Sequence, residues 1–197
     1  MAMIASLHFG LRPYTPAQVW AALRAPGEDE VALIVNGLRV PRTLAACGVG
    51  AALAVCGLLM QSILRNPLAD PGLLGVNAGA SFAVVLGFGV FGVTSFGILS
   101  AMALIGAAMA TGVLYLLQGL AGGRMTPVSL VLAGVTLAAL LSAATQVLIV
   151  TDEGTMEALL FWLAGGFADR EPQTLWYTLP VICVGLLMAA PMAQGLL

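Results

Sequence analysis

The sequence contains no lysine, and charged residues of every kind make up only 8% of its 197 positions. Soluble domains carry about 25% charged residues, so this chain lacks the polar surface that would keep it dissolved. Its formal net charge of −2 gives no sign of the basic patch that nucleic-acid binding requires. The composition therefore indicates a protein whose surroundings are lipid, with no nucleic-acid partner.

Four long stretches lack any ionisable side chain other than cysteine or tyrosine: residues 43–64, 71–123, 125–151 and 172–197. A helix needs about 20 apolar residues to cross the hydrocarbon core, so the second stretch can hold two spans and each of the others one. Glycines between residues 87 and 97 allow the turn that the second stretch needs. The sequence thus predicts an all-α, polytopic transmembrane helix bundle with about five spans, at residues 43–64, 73–92, 97–118, 128–150 and 173–191.

The charges and most of the prolines lie outside these spans. Residues 1–42 begin with an apolar part that is too short to cross a membrane and lacks the basic start of a signal peptide. We expect an extramembrane segment here, with short helical pieces such as residues 16–23. Residues 151–172 carry five carboxylates around an apolar centre (Asp152, Glu153, Glu157, Asp169 and Glu171). We expect an outer loop that contains a short helix.

The spans lack the acidic, basic and histidine side chains with which proton relays, ion sites and intramembrane enzymes work inside the bilayer. This disfavours a secondary transporter, although sodium held by backbone carbonyls stays open as an alternative. There is no GxxxxGK[ST] phosphate-binding loop, so the energy for uphill transport has to enter from another subunit. The three cysteines and the single histidine show no metal-ligand spacing. We expect no catalytic residue, no bound metal and no cofactor.

Small side chains are frequent within the predicted spans. In lipid, where the hydrophobic drive between helices is lost, small residues allow backbones to approach closely. A substrate-sized path between helices is the alternative use of such residues, and it stays open. We interpret five glycines as helix-packing positions: Gly50, Gly57, Gly75, Gly79 and Gly134.

A proline-containing loop separates the first two spans. Residues 65–75 read RNPLADPGLLG, and the prolines at 67 and 71 prevent a continuous helix. A new helix is expected to begin near Pro71, because proline suits the first turn. On spacing alone, this stretch is a turn between helices.

As a whole string, the loop closely resembles the signature of the FecCD-type permease family, the transmembrane subunits of importers for ferric siderophores, haem and cobalamin. Further motifs follow in the family's order: RVPR at 39–42, GAALAVCG at 50–57, NPLADP at 66–71, LAGV at 132–135 and FWLAGG at 161–166. The resemblance covers roughly residues 30–190.

The resemblance implies a non-enzymatic permease of about ten helices that works as a dimer in the bacterial inner membrane. Its implied partners are cytoplasmic ATPase subunits, which hydrolyse the ATP, and a periplasmic substrate-binding protein. The chain corresponds to helices two to six, so we expect it to be shortened at both ends, and a nonfunctional permease fragment is the alternative. Residues 1–42 and 151–172 would be periplasmic, although the arginine count of the loops favours the opposite orientation. The chelate is not identifiable.

The resemblance also implies roles for individual residues. Arg39 and Arg42 would dock onto carboxylates of the binding protein, since a guanidinium can hold a carboxylate bidentately. The alternative is that both side chains snorkel to lipid headgroups. The cytoplasmic gate would consist of two loops, each of which is alternatively a plain helix connector: Asn66, Pro67 and Leu68 in one, and Thr126, Pro127 and Val128 in the other.

Overall fold

The structure is a computed structural model that describes residues 2–10, 12–24, 27, 29–123, 126–151 and 173–194. Every regular element in these ranges is helical. The chain divides into two compact units, of which the first comprises Met1–Val55 with Gly166–Leu197 and the second Cys56–Gly165.

The first unit begins with two short helices, α1 (Ala2–His8) and α2 (Pro16–Arg24). They are followed by α3 (Glu30–Ile34), a π-helical turn (Val35–Arg39) and α4 (Val40–Leu64), whose last residues belong to the second unit. The C-terminal helix α8 (Gln173–Gln194) also belongs to the first unit. A small apolar core joins α2 to the run that follows it, through Val19, Ala22, Ala32 and Val35.

The helix predicted to begin at residue 43 begins earlier. The elements α3, π-helix and α4 form one run, Glu30–Leu64. Pro41 lacks an N–H and its ring conflicts with the carbonyl four residues before it, so a regular helix is strained at this point. The π-helical turn directly before Pro41, in which the Val40 N–H bonds to the Val35 carbonyl, widens the helix and lets it continue. Residues 30–42, predicted as part of an extramembrane segment with short helical pieces, are thus helical and continuous with α4.

The second unit is built on α5 (Val76–Gly89), which packs against α6 (Phe96–Leu120) and α7 (Pro127–Thr151). Its buried apolar residues include Val84 and Val85 of α5 and Leu99 of α6. The closest approach joins α5 to α6, where a Cβ added to Gly79 would lie 2.5 Å from the carbonyl oxygen of Gly106. The two backbones touch at this crossing, and only glycine leaves room for them.

The predicted span 73–92 is not one continuous helix. A 3-10 helix (Pro71–Leu74) comes first, and Gly75 then adopts a left-handed conformation with φ of 73° before α5 begins. The 14 residues of α5 extend over about 21 Å, which is less than the roughly 30 Å hydrocarbon core. The break follows from the tight packing at Gly75, where a Cβ would lie 3.3 Å from the carbonyl oxygen of Gly134 on α7.

Three helical runs in the described part of the chain are long and apolar enough to cross a membrane: Glu30–Leu64, Phe96–Leu120 and Pro127–Thr151. Two shorter apolar helical stretches are also present: α5 (Val76–Gly89) and the part of α8 from Leu179 to Pro191. A helix is thus present at each of the five predicted segments. The predicted fold class, an all-α polytopic membrane bundle, is confirmed. The predicted surface helix between residues 152 and 172 lies outside the described residues.

Candidate functional site

An open cavity of about 730 Å³ lies in the first unit, beside the beginning of the long helical run. This volume falls within the range of small-molecule binding sites. Apolar side chains, among them Met3, Phe9 and Leu38, form much of its lining. Among the described residues, three arginines and one carboxylate form its charged lining: Arg12, Arg39, Arg42 and Glu30. The cavity therefore combines apolar walls with a surplus of positive charge.

Arg39 is buried in this region and is only 9% exposed. Its guanidinium donates to the carbonyl oxygen of Leu7 at 2.8 Å and to the carbonyl oxygen of Arg12. It also lies 4.5 Å from the centroid of the Tyr14 ring, within the range of a cation–π contact. These partners are all uncharged. Arg39 thus ties the segment after α1 to the π-helical turn.

Arg42, the second arginine of the predicted docking motif, has an exposed side chain in the first turn of α4. A docking role for Arg42 is compatible with this exposure. The same role for Arg39 would require its guanidinium to leave both carbonyls and the Tyr14 ring. The two arginines that the motif treats as equivalent therefore have different environments, and their docking role stays a prediction.

A third arginine of this cavity, Arg12, carries no motif signal in the sequence. Its side chain is 71% exposed and forms an ion pair with Glu30, whose side chain is 66% exposed. An exposed ion pair of this kind contributes about 0–1 kcal/mol, so it is easily exchanged. Only the fold brings Arg12 to the residues of the docking motif.

The loop after α4, predicted as one half of the gate, is organised by its own polar side chains. Asn66 Oδ1 accepts a hydrogen bond from the Leu68 N–H at 2.9 Å, and Asp70 Oδ1 accepts one from the Gly72 N–H at 2.7 Å. Such Asx turns fix the backbone through contacts within two residues. They leave Leu68 83% exposed while Ala69, one residue later, is buried. The loop thus exposes the apolar side chain of Leu68 on a backbone that is held by hydrogen bonds.

The other predicted gate loop leads into α7. Thr126 Oγ1 accepts a hydrogen bond from the Ser129 N–H at 3.2 Å and caps the helix. Pro127 is the first helical residue, a position that suits proline, and Val128 is 69% exposed. The structure places both loops at the same end of the second unit, because the 3-10 helix after Asp70 packs against α7 about two turns beyond Pro127.

The five glycines predicted as packing positions fall into two groups. A Cβ on Gly75, Gly79 or Gly134 would meet the backbone of a neighbouring element, and the one on Gly134 would overlap the Leu73 carbonyl oxygen. Nothing among the described residues lies within 4 Å of a Cβ added to Gly50 or Gly57. The sequence interpretation missed Gly106, the partner of Gly79; its position in a run of small residues was the available signal.

Within the described ranges, no group of three or more His, Cys, Asp or Glu side chains is arranged to hold a metal ion. Cys47, Cys56 and Cys183 are free thiols. The arginines of the first unit and the two polar-capped loops of the second unit are therefore two separate candidate sites.

A model of the FecCD transport family matches residues 1–196. This chain belongs to the FecCD transport family. It is 42% identical over 186 residues to the ferric enterobactin transport system permease protein FepD of Escherichia coli K12, a match that covers 94% of this chain and 56% of FepD. It is 38% identical over 168 residues to the vitamin B12 import system permease protein BtuC of Klebsiella pneumoniae, covering 81% of this chain and 49% of BtuC.

A solved structure of a metal-chelate type ABC transporter in an inward-facing conformation matches with a TM-score of 0.76 and 26% sequence identity. The match covers 92% of this chain and 55% of that one. The chain thus spans about half the length of the relatives that it matches. Together with the apolar helices, these similarities identify a multi-pass membrane protein of a transport family.

Proposed function

We propose that this chain is the membrane-spanning permease portion of an ABC importer that carries a metal chelate across the bacterial inner membrane. The observation that carries the proposal is the family match over residues 1–196. The chain has a transport role and no chemical step of its own. ATP hydrolysis belongs to separate cytoplasmic subunits, in keeping with the lack of a phosphate-binding loop in this sequence.

The proposed substrate class is a chelated metal: a ferric siderophore, haem or a cobalamin. Relatives named for ferric enterobactin, achromobactin, ferric citrate and vitamin B12 transport support this class and do not select one member. These cargoes share a large organic ligand shell. Small, apolar side chains along the helices are suited to let such a cargo pass without binding it tightly.

The proposed partners are a second permease subunit, the ATPase subunits and a periplasmic binding protein. Residues 1–42 and 151–172 would face the periplasm, and Arg42, which is exposed there, would meet a carboxylate of the binding protein. The loops of Asn66–Leu68 and Thr126–Val128 would face the cytoplasm as the gate. Support comes from their position at one end of the second unit and from the exposed, firmly held Leu68.

A chimera tests the transport function directly. The segment of FepD that matches this chain is replaced by the chain's own residues, and the product is expressed in Escherichia coli that lacks FepD. We expect growth on ferric enterobactin as the sole iron source and uptake of labelled iron. A correctly inserted chimera that supports neither would contradict the proposal. FepD carrying its own segment, rebuilt with the same junctions, is the control.

Cross-linking tests the gate. In the same chimera, Cys47, Cys56 and Cys183 are replaced by alanine and Leu68 by cysteine, so that two subunits can be joined by a disulfide. Uptake should stop on oxidation and return on reduction. A cysteine in place of Leu104, exposed on α6 rather than at a loop, is the matched control. Full uptake with complete cross-linking at position 68 would show that the loop is only a connector.

A further inference from the structure

We propose that Arg12 is a carboxylate-binding residue of the periplasmic docking surface and that Arg39 is the positioning residue that holds it in place. The proposal rests on the proposed function, since it names which residues of the docking surface meet the partner. The motif assigns docking to Arg39 and Arg42; the proposal transfers the carboxylate contact of Arg39 to Arg12 and leaves Arg39 a positioning role. The contacts of both guanidinium groups support this division.

Arg39 acts on the backbone of Arg12. One arm of its guanidinium donates to the Arg12 carbonyl oxygen and the other donates to the Leu7 carbonyl oxygen. Hydrogen bonds from a charged donor are stronger than those between neutral groups, so the two bonds together hold Leu7 and Arg12, on either side of Gly10. Gly10 lies inside this turn, where an added Cβ would be 3.0 Å from Arg39 Nη2. The turn and the guanidinium are therefore packed against each other.

Tyr14 completes this arrangement through its ring. The ring lies beneath the Arg39 guanidinium, while the Tyr14 hydroxyl is buried without a hydrogen-bond partner among the described residues. Within the part of the chain that the structure describes, the aromatic face is therefore the part of Tyr14 that contacts Arg39. Replacement of the tyrosine by phenylalanine should keep the arrangement intact, whereas leucine should weaken it.

Arg12 itself is directed outward. Its exposed side chain lines the same cavity as Arg42, and its partner is the exposed carboxylate of Glu30. A partner's carboxylate can replace Glu30 at little cost, because the pair between exposed side chains is weak and the chemistry of the two carboxylates is the same. Closure of the apolar cavity walls by a docked protein would then strengthen the new contact, since charges attract more strongly where water is excluded.

The first test needs no partner. The full chain in lipid nanodiscs is treated with phenylglyoxal, which modifies accessible guanidinium groups, and each arginine is followed by mass spectrometry. We expect Arg12, whose side chain is 71% exposed, to react about tenfold faster than Arg39, which must first break two hydrogen bonds. Reaction of Arg39 within about twofold of Arg12 would overturn the positioning role.

Amide hydrogen exchange over residues 2–15 provides the second measurement on the same sample. Arg39→Gln should raise exchange throughout this segment, Arg39→Lys should raise it less, and Tyr14→Phe should leave it unchanged. Arg24→Gln is the control, since the Arg24 guanidinium lies 4.6 Å from the centroid of the Trp20 ring, and it should also leave exchange unchanged. Equal effects of the Arg39 and Arg24 variants would contradict the positioning role of Arg39. These two measurements stand even if the chain does not transport chelates.

Binding decides the role of Arg12. The probe is the periplasmic ferric-enterobactin binding protein of Escherichia coli, titrated onto the FepD chimera in nanodiscs. We expect Arg12→Gln and Arg39→Gln each to weaken binding about tenfold, and the double variant to be no weaker than either, because one residue acts through the other. Arg42→Gln should multiply either effect. An unchanged Kd for Arg12→Gln, or a double variant weakened about a hundredfold, would overturn the proposal.

Discussion

Each of the two units has its own internal packing, and the two kinds of packing are opposite. In the first unit, the long side chain of Arg39 reaches across a turn and satisfies two backbone carbonyls. In the second unit, α5 and α6 approach each other at two glycines, Gly79 and Gly106, which have no side chain. The first arrangement can adjust, because the aliphatic part of an arginine side chain has several rotatable bonds, whereas two backbones in contact cannot. Equal substitutions should therefore have unequal effects in the two units.

The largest effect is expected at the crossing of α5 and α6. A Cβ from Gly106→Ala would overlap the carbonyl oxygen of Gly79, and neither backbone can move without disturbing the packing around Val84 and Val85. We expect a loss of about 3 kcal/mol in the free energy of unfolding, despite the better helix propensity of alanine. Unfolding by SDS in mixed micelles, followed by circular dichroism, measures it.

The control for this substitution lies on the same helix. Nothing among the described residues is within 4 Å of a Cβ added to Gly112. Gly112→Ala should be neutral or stabilise by up to about 1 kcal/mol through helix propensity alone. Equal destabilisation by both variants would mean that the glycines of α6 serve the helix and not its crossing.

An intermediate effect is expected at the gate loop, where the second unit does use a polar side chain. Asp70→Ala removes the acceptor for the Gly72 N–H, which should cost about 1 kcal/mol. Asp70→Asn keeps an acceptor oxygen and should cost much less. Thermal unfolding in detergent compares the two variants. If both lose the same stability, the charge of Asp70 matters and the hydrogen bond does not.

A smaller effect is expected in the turn after α1, to which Arg39 donates two hydrogen bonds. Gly10→Ala places its Cβ against the far end of the Arg39 side chain, which can shift by a few tenths of an ångström. The expected cost is about 0.5 kcal/mol, and it should appear as faster hydrogen exchange in residues 2–15 rather than as a lower melting temperature. A cost equal to that of Gly106→Ala would remove the contrast between the units.

The smallest loss of stability is expected at Gly50 and Gly57 of α4. Their surroundings within the described residues are open, so alanine at either position should cost the isolated chain nothing and, as at Gly112, should only stabilise it, by up to about 1 kcal/mol. The same variants can be compared in the FepD chimera. Destabilisation of the chimera alone would indicate that another chain or segment packs against these glycines, whereas destabilisation of the isolated chain would contradict the open geometry.

Much of the fold could be predicted from the sequence, because placing charge in lipid is so costly that uncharged stretches mark membrane helices. The bounds of α6 and α7 lie within two residues of the prediction. The start of the first long run was missed, since Pro41 indicates an end to a helix and the π-helical turn that accommodates it has no sequence signature. The break at Gly75 was missed because it depends on the neighbouring α7.

The site was predicted less completely. The loop of Asn66 and Asp70 could be located from its prolines and motif, and its polar side chains act locally, within two residues. Arg39 and Arg42 were grouped because they lie in one motif. Their different burial depends on the turn between α1 and α2, which is distant in sequence. Arg12 was not identified at all, since a lone arginine in an irregular segment carries no pattern.

The sequence alone determined that this chain lies in a membrane, that it is helical and that it carries the FecCD motifs, because hydropathy and local turn chemistry act over short stretches. Only the tertiary structure decided which arginine is buried and which glycines are touched by a neighbour. Burial and close approach arise between segments that are far apart in the chain. Whether a Cβ or a guanidinium group can be accommodated therefore depends on the atoms of the segment that packs against it.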